Sequence, residues 1–203
     1  MAKLVIFNKP FNTLCQFTDA ENRSTLADFL TDKICRNCYP AGRLDYDSEG
    51  LVILTDDGRL QHQIAHPSAQ KEKTYWAQIE NVPDEKALRA LRSGVTLNDG
   101  MTKPAKARLM SEPTIWTRNP PIRTRHSVPT RWLELTITEG RNRQVRKMTA
   151  AVGHPTLRLV RYQISSWNID DLAPGEFRIE TIHLPKAATK PVRKTRIFNT
   201  YKR

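Results

Sequence analysis

Gly42-Arg43-Leu44-Asp45-Tyr46-Asp47-Ser48-Glu49-Gly50 leads directly into the apolar run Leu51-Val52-Ile53-Leu54-Thr55. The run is long enough for one buried strand, and the residues before it form a tight loop bounded by glycines. The loop carries one arginine and three carboxylates, and loops held by a rigid strand are common positions for catalytic groups. The loop is therefore a candidate site, although acids in such a loop can also serve only to solvate a turn.

On either side of this loop the sequence predicts a mixture of strands and helices. Strands are expected at residues 5–7, 51–54, 73–79, 132–137, 157–165 and 177–182. Helices are expected to begin near residues 56, 83 and 143 and to end near residues 66, 92 and 152. Residues 97–107 are expected to form turns around a short strand, residues 111–129 a loop, and residues 186–203 a basic tail. Because the elements do not alternate regularly, the fold class is predicted to be α+β around a largely antiparallel sheet.

A second dense segment, residues 139–147, reads Glu-Gly-Arg-Asn-Arg-Gln-Val-Arg-Lys. Arg143 and Arg146 are three residues apart on the predicted helix and therefore share a face. They could form a solvated basic face that binds phosphates. Alternatively, one arginine points inward and pairs with a carboxylate, which would keep that acid ionised. An ionised, oriented aspartate is the state that a carboxylate nucleophile requires.

The positive charge is concentrated in the last two-fifths of the chain. The formal net charge is +12; residues 1–120 hold 16 Lys and Arg against 15 Asp and Glu, and residues 121–203 hold 17 against 6. A localised basic surface suits a polyanion, most often nucleic acid. An anionic membrane surface is the competing partner, but the sequence shows no convincing basic amphipathic helix.

Other classes of protein fit the sequence poorly. No apolar run approaches the roughly 20 residues that span a bilayer, and the apolar N-terminal stretch is too short for a secretory signal, so a cytoplasmic location is expected. Three cysteines are few for a disulfide scaffold. Cys35 and Cys38 have the spacing of half a zinc site, and His62 and His66 are four apart, but no second cysteine pair exists, so no metal is expected.

Four segments together resemble the pseudouridine synthases of the small-subunit-rRNA type. They are residues 42–51, Lys73-Thr74-Tyr75, residues 139–146 and residues 153–161, in the order found in that family. The match runs from about Lys3 to Glu180. It implies the pseudouridine synthase fold, a mixed and mainly antiparallel sheet flanked by helices, with a catalytic cleft between two lobes. Residues 1–185 are then the catalytic domain, as one unit or as two subdomains.

Members of this family usually carry an N-terminal S4 RNA-binding domain, and here the first catalytic strand begins almost at residue 1, so that domain is expected to be absent. Residues 17–19, 94–100 and 119–123 resemble more narrowly the members that act on large-subunit ribosomal RNA. The expected substrate is therefore large-subunit (23S) rRNA, and the expected enzyme is an isomerase that acts as a monomer.

The resemblance assigns three catalytic residues. Asp45 matches the nucleophile that attacks a flipped uridine, after which the uracil is released from nitrogen, rotated and rejoined through C5. Attack at C1′ of the sugar and attack at C6 of the base both remain open. Arg146 matches the arginine that pairs with this aspartate. Tyr75 matches the tyrosine that stacks on the uracil.

The remaining matches concern substrate binding. Leu159 matches the apolar residue that closes the pocket, and Arg43 matches the arginine that enters the RNA where the target base leaves. The other residues expected to bind substrate are Lys73, Arg141, Arg143 and Arg161. Isomerisation involves no net redox change, so no cofactor is expected. Asp47 and Glu49 are interpreted as turn and structural residues.

Two other functions fit parts of the sequence. A non-catalytic RNA-binding module would use the basic C-terminal portion but has no need of the Arg43-Leu44-Asp45 loop together with a distant tyrosine and an inward arginine. A nucleoside hydrolase would release free uracil.

Overall fold

A computed structural model describes residues 1–31, 33–35, 37–122 and 127–183. Within these residues, nine strands form one sheet, two form a separate hairpin, and there are three α-helices. The strands are β1 (Ala2–Lys9), β2 (Tyr39–Pro40), β3 (Glu49–Thr55), β4 (Lys73–Glu80), β5 (Thr96–Leu97), β6 (Gly100–Met101), β7 (Lys106–Met110), β8 (Thr130–Ile137), β9 (Thr156–Ile164), β10 (Trp167–Asn168) and β11 (Phe177–Ile182). The helices are α1 (Gly58–Ala65), α2 (Glu85–Ser93) and α3 (Gln144–Ala151), with 3-10 turns at Leu26–Asp28, Lys33–Cys35 and Pro67–Ala69.

The sheet follows the order β11-β1-β3-β9-β4-β8-β7, with β2 beside β3 and β10 beside β9. Strands β3 and β9 pair in parallel, and the other pairs of the described sheet are antiparallel. The predicted α+β class with a largely antiparallel sheet is therefore confirmed. The β5–β6 hairpin lies outside this sheet.

The centre of the sheet is buried on both faces. Successive side chains of β3 point to opposite faces, so Val52 and Leu54 enter one apolar core and Leu51 and Ile53 enter the other. Helices α2 and α3 cover the first face, and α1 covers the second. Two-sided burial explains why β3 is a continuous apolar run in the sequence instead of an alternating one.

Aspartate side chains cap two of the three helices. The Asp57 carboxylate accepts hydrogen bonds from the backbone N–H groups of Arg59 and Leu60, both at 2.9 Å, at the start of α1. The Asp84 carboxylate caps α2 in the same way through the N–H of Ala87. Helix α3 starts differently, because Arg143 precedes it in the left-handed conformation with φ of 50°.

The long predicted strands and the three predicted helices are confirmed, with small differences at their ends. The two-residue strands β2 and β10 were not predicted, because segments this short carry no periodicity. Where turns around one short strand were expected, at residues 97–107, the structure has the β5–β6 hairpin and the start of the five-residue strand β7. The predicted basic tail at residues 186–203 lies outside the described residues. No helix among the described residues is long and apolar enough to cross a membrane.

Candidate active site

One cleft gathers nearly all the predicted site residues. It has a volume of about 470 Å³ and opens on the face of the sheet that α3 covers. Eight of the nine predicted site residues line it: Arg43, Asp45, Lys73, Tyr75, Arg141, Arg143, Leu159 and Arg161. Arg146 lies behind the cleft with its side chain 14% exposed.

The loop that carries Asp45 connects β2 to β3 and is turned by a hydrogen bond from the Ser48 N–H to the Asp45 carbonyl at 3.1 Å. The Asp45 side chain is 31% exposed and faces the cleft. Gly50 follows in β3 with φ of +100°, where it pairs with Arg161 of β9. A Cβ at this position would overlap the Arg161 carbonyl oxygen, so glycine permits the close parallel approach of β3 and β9.

Buried cations hold the backbone of this loop from beneath. Arg161, which is 3% exposed, donates from Nε to the Leu51 carbonyl at 2.7 Å and from Nη1 to the Arg43 carbonyl at 3.2 Å. Lys9, which is completely buried, donates to the Tyr46 carbonyl at 3.4 Å. These bonds fix the backbone on both sides of Asp45, so the carboxylate is presented from a rigid support.

The arginine that approaches Asp45 is not the predicted one. Arg146 was expected to pair with Asp45, but its Nη2 donates to the Asp47 carbonyl at 2.7 Å and lies 3.4 Å from the Asp47 carboxylate. Its Nη1 donates to the Thr156 carbonyl at 3.3 Å. Arg143 is the closer partner, with Nη1 3.6 Å from Asp45 Oδ2. Arg143 precedes α3 in the left-handed conformation, so the two arginines do not share a helical face as expected, although both reach the same loop.

Asp47 is the main acceptor for these two arginines. Nη1 and Nη2 of Arg143 each donate to the Asp47 carboxylate at 2.8 Å. Hydrogen bonding from Arg143 lowers the pKa of Asp47, against the opposing effect of burial, and the Arg146 charge lowers it further. Burial lowers the pKa of the Arg146 guanidinium.

Tyr75 and Leu159 form the apolar wall of the cleft. They are 7% and 4% exposed, and they project from the adjacent strands β4 and β9. The register between these strands shifts between Thr74 and Tyr75, an irregularity of the kind that redirects a side chain. The cleft thus offers an aromatic ring and an aliphatic side chain near a carboxylate, which suits a flat, partly apolar ligand.

Lys73 and Arg43 differ in exposure. Lys73 is partly buried, and burial followed by the charge of Arg161 lowers the pKa of its ammonium. Arg43 is exposed at the rim beside Asp45. The cleft therefore has cationic groups both inside it and at its edge.

Arg141 is largely occupied within the protein. Its Nη1 donates to the Gly100 carbonyl at 3.0 Å, and its Nη2 donates to the Met101 carbonyl at 2.5 Å. Its guanidinium also lies 3.4 Å from the Glu139 carboxylate. In this structure the residue attaches the β5–β6 hairpin to the wall of the cleft.

Sequence reasoning interpreted Glu49 as a structural residue but missed its partners, and it missed Lys9. Glu49, at 1% exposure, forms a two-point pair with Arg158, and the Trp116 indole N–H donates to the same carboxylate at 2.7 Å. An acidic residue at the start of a buried apolar strand indicates that a basic partner lies nearby, but the sequence does not show which residue this is. Lys9 carried no such signal.

The histidines considered as metal ligands, His62 and His66, contact each other. The His62 and His66 rings stack with centroids 4.3 Å apart. Among the described residues there is no group of three or more His, Cys, Asp or Glu side chains placed to hold a metal ion.

The chain is similar to one described family and to several known proteins. The family described as RNA pseudouridylate synthase matches residues 3–151. Ribosomal large subunit pseudouridine synthase E of Vibrio vulnificus is 54% identical over 176 residues, 87% of this chain and 74% of the relative. The protein of the same name from Xanthomonas axonopodis pv. citri is 54% identical over 180 residues, 87% of this chain and 93% of the relative.

More distant relatives show the same kind of similarity. Ribosomal small subunit pseudouridine synthase A of Escherichia coli K12 is 36% identical over 176 residues, 85% of this chain and 68% of the relative. A crystal structure of a pseudouridylate synthase superimposes with a TM-score of 0.74 at 30% identity, covering 89% of this chain and 71% of that one.

Proposed function

Because this chain belongs to the RNA pseudouridylate synthase family, we propose that it converts a specific uridine of large-subunit (23S) ribosomal RNA to pseudouridine, with Asp45 as the nucleophile. The general activity follows from the family and the named relatives: the chain is an isomerase that forms pseudouridine in ribosomal RNA. The relatives at 54% identity are named for the large subunit, which supports that subunit as the target.

The observation that carries the proposal is the grouping of Asp45, Tyr75 and Leu159 in one cleft with several cations. In the proposed reaction the N1–C1′ bond of uridine breaks, the uracil rotates, and a C5–C1′ bond forms. The proton leaves C5 and N1 regains one, so no oxidant or reductant takes part. The Asp45 carboxylate opens the reaction by giving an electron pair to the carbon that it attacks, and this bond to Asp45 breaks again before pseudouridine is released.

Because the site is a cleft, the target uracil must leave the RNA helix to enter it. A base stacked in a duplex cannot reach a carboxylate on the floor of a cleft, so extrusion precedes the chemistry and costs a few kcal/mol. Tyr75 offers a face for stacking, worth roughly 1–3 kcal/mol, and Leu159 closes the pocket beside it. Arg43, exposed at the rim, is placed to occupy the space that the base leaves and to contact phosphate.

The remaining cations bind the substrate in this proposal. Arg161 Nη2 is buried and has no hydrogen-bond partner among the described residues, and an oxygen of the bound nucleotide would supply one. Lys73 and Arg143 also line the cleft and bear the charge that phosphates require. Arg141 contributes by holding the hairpin and the wall of the cleft.

The proposed catalytic domain spans residues 1–185, since β11 ends at Ile182 and completes one edge of the sheet. That the enzyme acts as a monomer is part of the proposal.

The proposal is tested with Asp45→Asn and large-subunit rRNA transcripts labelled with tritium at C5 of uridine. We expect tritium release to stop while binding of the RNA persists, because the isosteric amide keeps the shape of the cleft. Glu112→Gln, which changes an exposed acid of the loop 111–122, is the matched control and should release tritium at the normal rate. Turnover near wild type in Asp45→Asn would contradict the role of Asp45.

A second measurement concerns the substrate and the reaction class. Pseudouridine mapping in a strain without the protein should show one position lost from 23S rRNA and none from 16S rRNA. Loss from 16S rRNA would contradict the large-subunit assignment. Free uracil among the products would instead indicate a hydrolase.

A further inference from the structure

Lys73 is a cation of the cleft without an acidic partner. It stands at the start of β4 and lines the cleft, and its ammonium donates to the Lys71 backbone carbonyl at 3.2 Å. Among the residues that the structure describes, no carboxylate forms an ion pair with Lys73. By contrast, Arg143 in the same cleft is paired with Asp47. The charge of Lys73 is therefore free to interact with a ligand that enters the cleft.

The surroundings of Lys73 do little to stabilise its charge. Its cross-strand neighbours are Ile137 on β8 and Ile164 on β9, and both of these apolar residues also line the cleft. Burial, followed by the charge of Arg161, lowers the pKa of the Lys73 ammonium. A negatively charged group beside this ammonium would relieve the cost, and the attraction is stronger in a partly apolar cleft than in water.

Lys73 stands two residues before Tyr75 on β4. Both residues are in regular register with β8, where they lie opposite Ile137 and Leu135. Side chains two residues apart in a strand point to the same face, and their Cα atoms are about 6–7 Å apart. An extended lysine side chain spans a similar distance. A uracil stacked on the Tyr75 ring would therefore have its edge within reach of the Lys73 ammonium.

The proposed reaction places negative charge on the carbonyl oxygens of the uracil by either route of attack. If Asp45 attacks C1′, the N1–C1′ bond breaks with both electrons on the uracil, which leaves as an anion delocalised over O2 and O4. If Asp45 attacks C6, the electrons of the C5–C6 double bond move toward O4. A cation placed at one of these oxygens lowers the barrier in both cases, because its attraction grows as the charge develops.

We infer that Lys73 is a catalytic residue whose ammonium contacts a carbonyl oxygen of the target uracil and stabilises the negative charge that develops there. The inference rests on the proposed function and deepens it, since it adds a role in the chemical step to the binding of phosphate. Lys73 keeps its proton throughout, so the step needs no proton donor, oxidant or reductant beyond those of the proposed reaction.

The first test compares Lys73→Met with wild type in single turnovers, with tritium release from the large-subunit rRNA transcript as the measurement. At saturating RNA the variant should react about tenfold or more slowly, because it lacks one charged donor to the developing anion. The RNA concentration that gives half the maximal rate should change by less than about threefold. Lys86→Met, which removes the same charge from an exposed position on α2, should react at the wild-type rate.

The second test replaces the target uridine with 5-fluorouridine. Fluorine at C5 withdraws electrons and stabilises negative charge on the uracil, so the cation is needed less. Disappearance of the target nucleoside is followed in both RNAs by digestion and chromatography. The factor by which Lys73→Met slows the reaction should be at least about threefold smaller for 5-fluorouridine than for uridine. Equal factors for the two RNAs would overturn the inference, because a purely structural role is indifferent to a substituent on the base.

Two further outcomes are decisive. A Lys73→Met variant that is as fast as wild type at saturating RNA, and only needs more RNA to reach that rate, would show that Lys73 binds phosphate alone. Melting temperatures establish that the compared proteins are folded. The Asp45→Asn variant separates the inference from the proposed function. If Asp45→Asn remains active, the proposed function fails; if it is inactive while Lys73→Met is as fast as wild type, the proposed function stands and the inference about Lys73 is wrong.

Discussion

Glu49 and Arg158 form a two-point ion pair with both N–O distances at 2.9 Å and with side chains 1% and 7% exposed. The pair joins the first residue of β3 to β9. Through Trp116, whose indole N–H and backbone carbonyl contact the two partners, it also anchors the loop between β7 and β8. The strand that follows the Asp45 loop is thus attached to its surroundings by charge as well as by apolar packing.

Breaking this pair should destabilise the protein strongly. Glu49→Gln leaves the Arg158 guanidinium buried without its counter-charge, which costs about 3–5 kcal/mol of the free energy of unfolding. Urea denaturation followed by circular dichroism measures the loss. The matched control is Lys106→Gln, which breaks an exposed pair with Glu72 whose side chains are 74% and 49% exposed. That change should cost less than about 1 kcal/mol, and similar losses in the two variants would contradict the argument.

The parts of the fold that sequence predicts are those with local causes. Strand β4 alternates between polar and apolar residues, and α2 begins with Asp84 as its cap, so each carries its own signal in a few neighbouring residues. The site residues were predicted in another way, by matching four segments of the sequence to the motifs of a family.

The details that sequence did not predict depend on how the loops fold. Arg143 and Arg146 are three residues apart, but their spacing does not show that both reach Asp47. The burial of Lys9 depends on how the loop after β1 folds over it. Residue spacing predicts neither contact, because Lys9 and Arg146 both donate to backbone carbonyls, which every residue type carries.

Lys9 gives a prediction about pH. Its ammonium is completely buried and donates to the carbonyls of Thr13 at 2.7 Å and Pro10 at 2.8 Å. Burial lowers its pKa from 10.5 to about 8. Between these two values the unfolded chain holds the proton and the folded chain does not, so the free energy of unfolding rises with pH. The penalty for burying the charge is complete below pH 8 and is relieved by about 3 kcal/mol as the pH approaches 10.5.

The comparison of wild type with Lys9→Met isolates this effect, since methionine does not titrate. Both proteins should carry Cys15→Ala, because the Cys15 thiol interacts electrostatically with Lys9. Urea denaturation at pH 7, 8.5 and 10 should show the lysine protein gaining stability relative to the methionine protein as pH rises. A difference that does not change with pH would show that Lys9 keeps an ordinary pKa.

Gly50 and Gly42 give the last prediction, because both have positive φ but only one has a crowded environment. At Gly50, with φ of +100°, a Cβ would overlap the Arg161 carbonyl oxygen and lie 2.9 Å from the Arg161 nitrogen. At Gly42, with φ of +91°, a Cβ would meet no atom within 4 Å. Gly42→Ala should therefore cost only the conformational penalty of roughly 1–2 kcal/mol.

Gly50→Ala should cost at least about 2 kcal/mol more than Gly42→Ala, because β3 and β9 must separate in addition to the backbone strain. Since β9 carries Arg161, whose guanidinium holds the Arg43 carbonyl, the separation also displaces the Asp45 loop. Tritium release at a temperature where Gly50→Ala is still folded should then be slower than in Gly42→Ala. Equal stability losses in the two variants would mean that the close β3–β9 approach does not support the loop, and that Gly50 serves only the conformation of its own backbone.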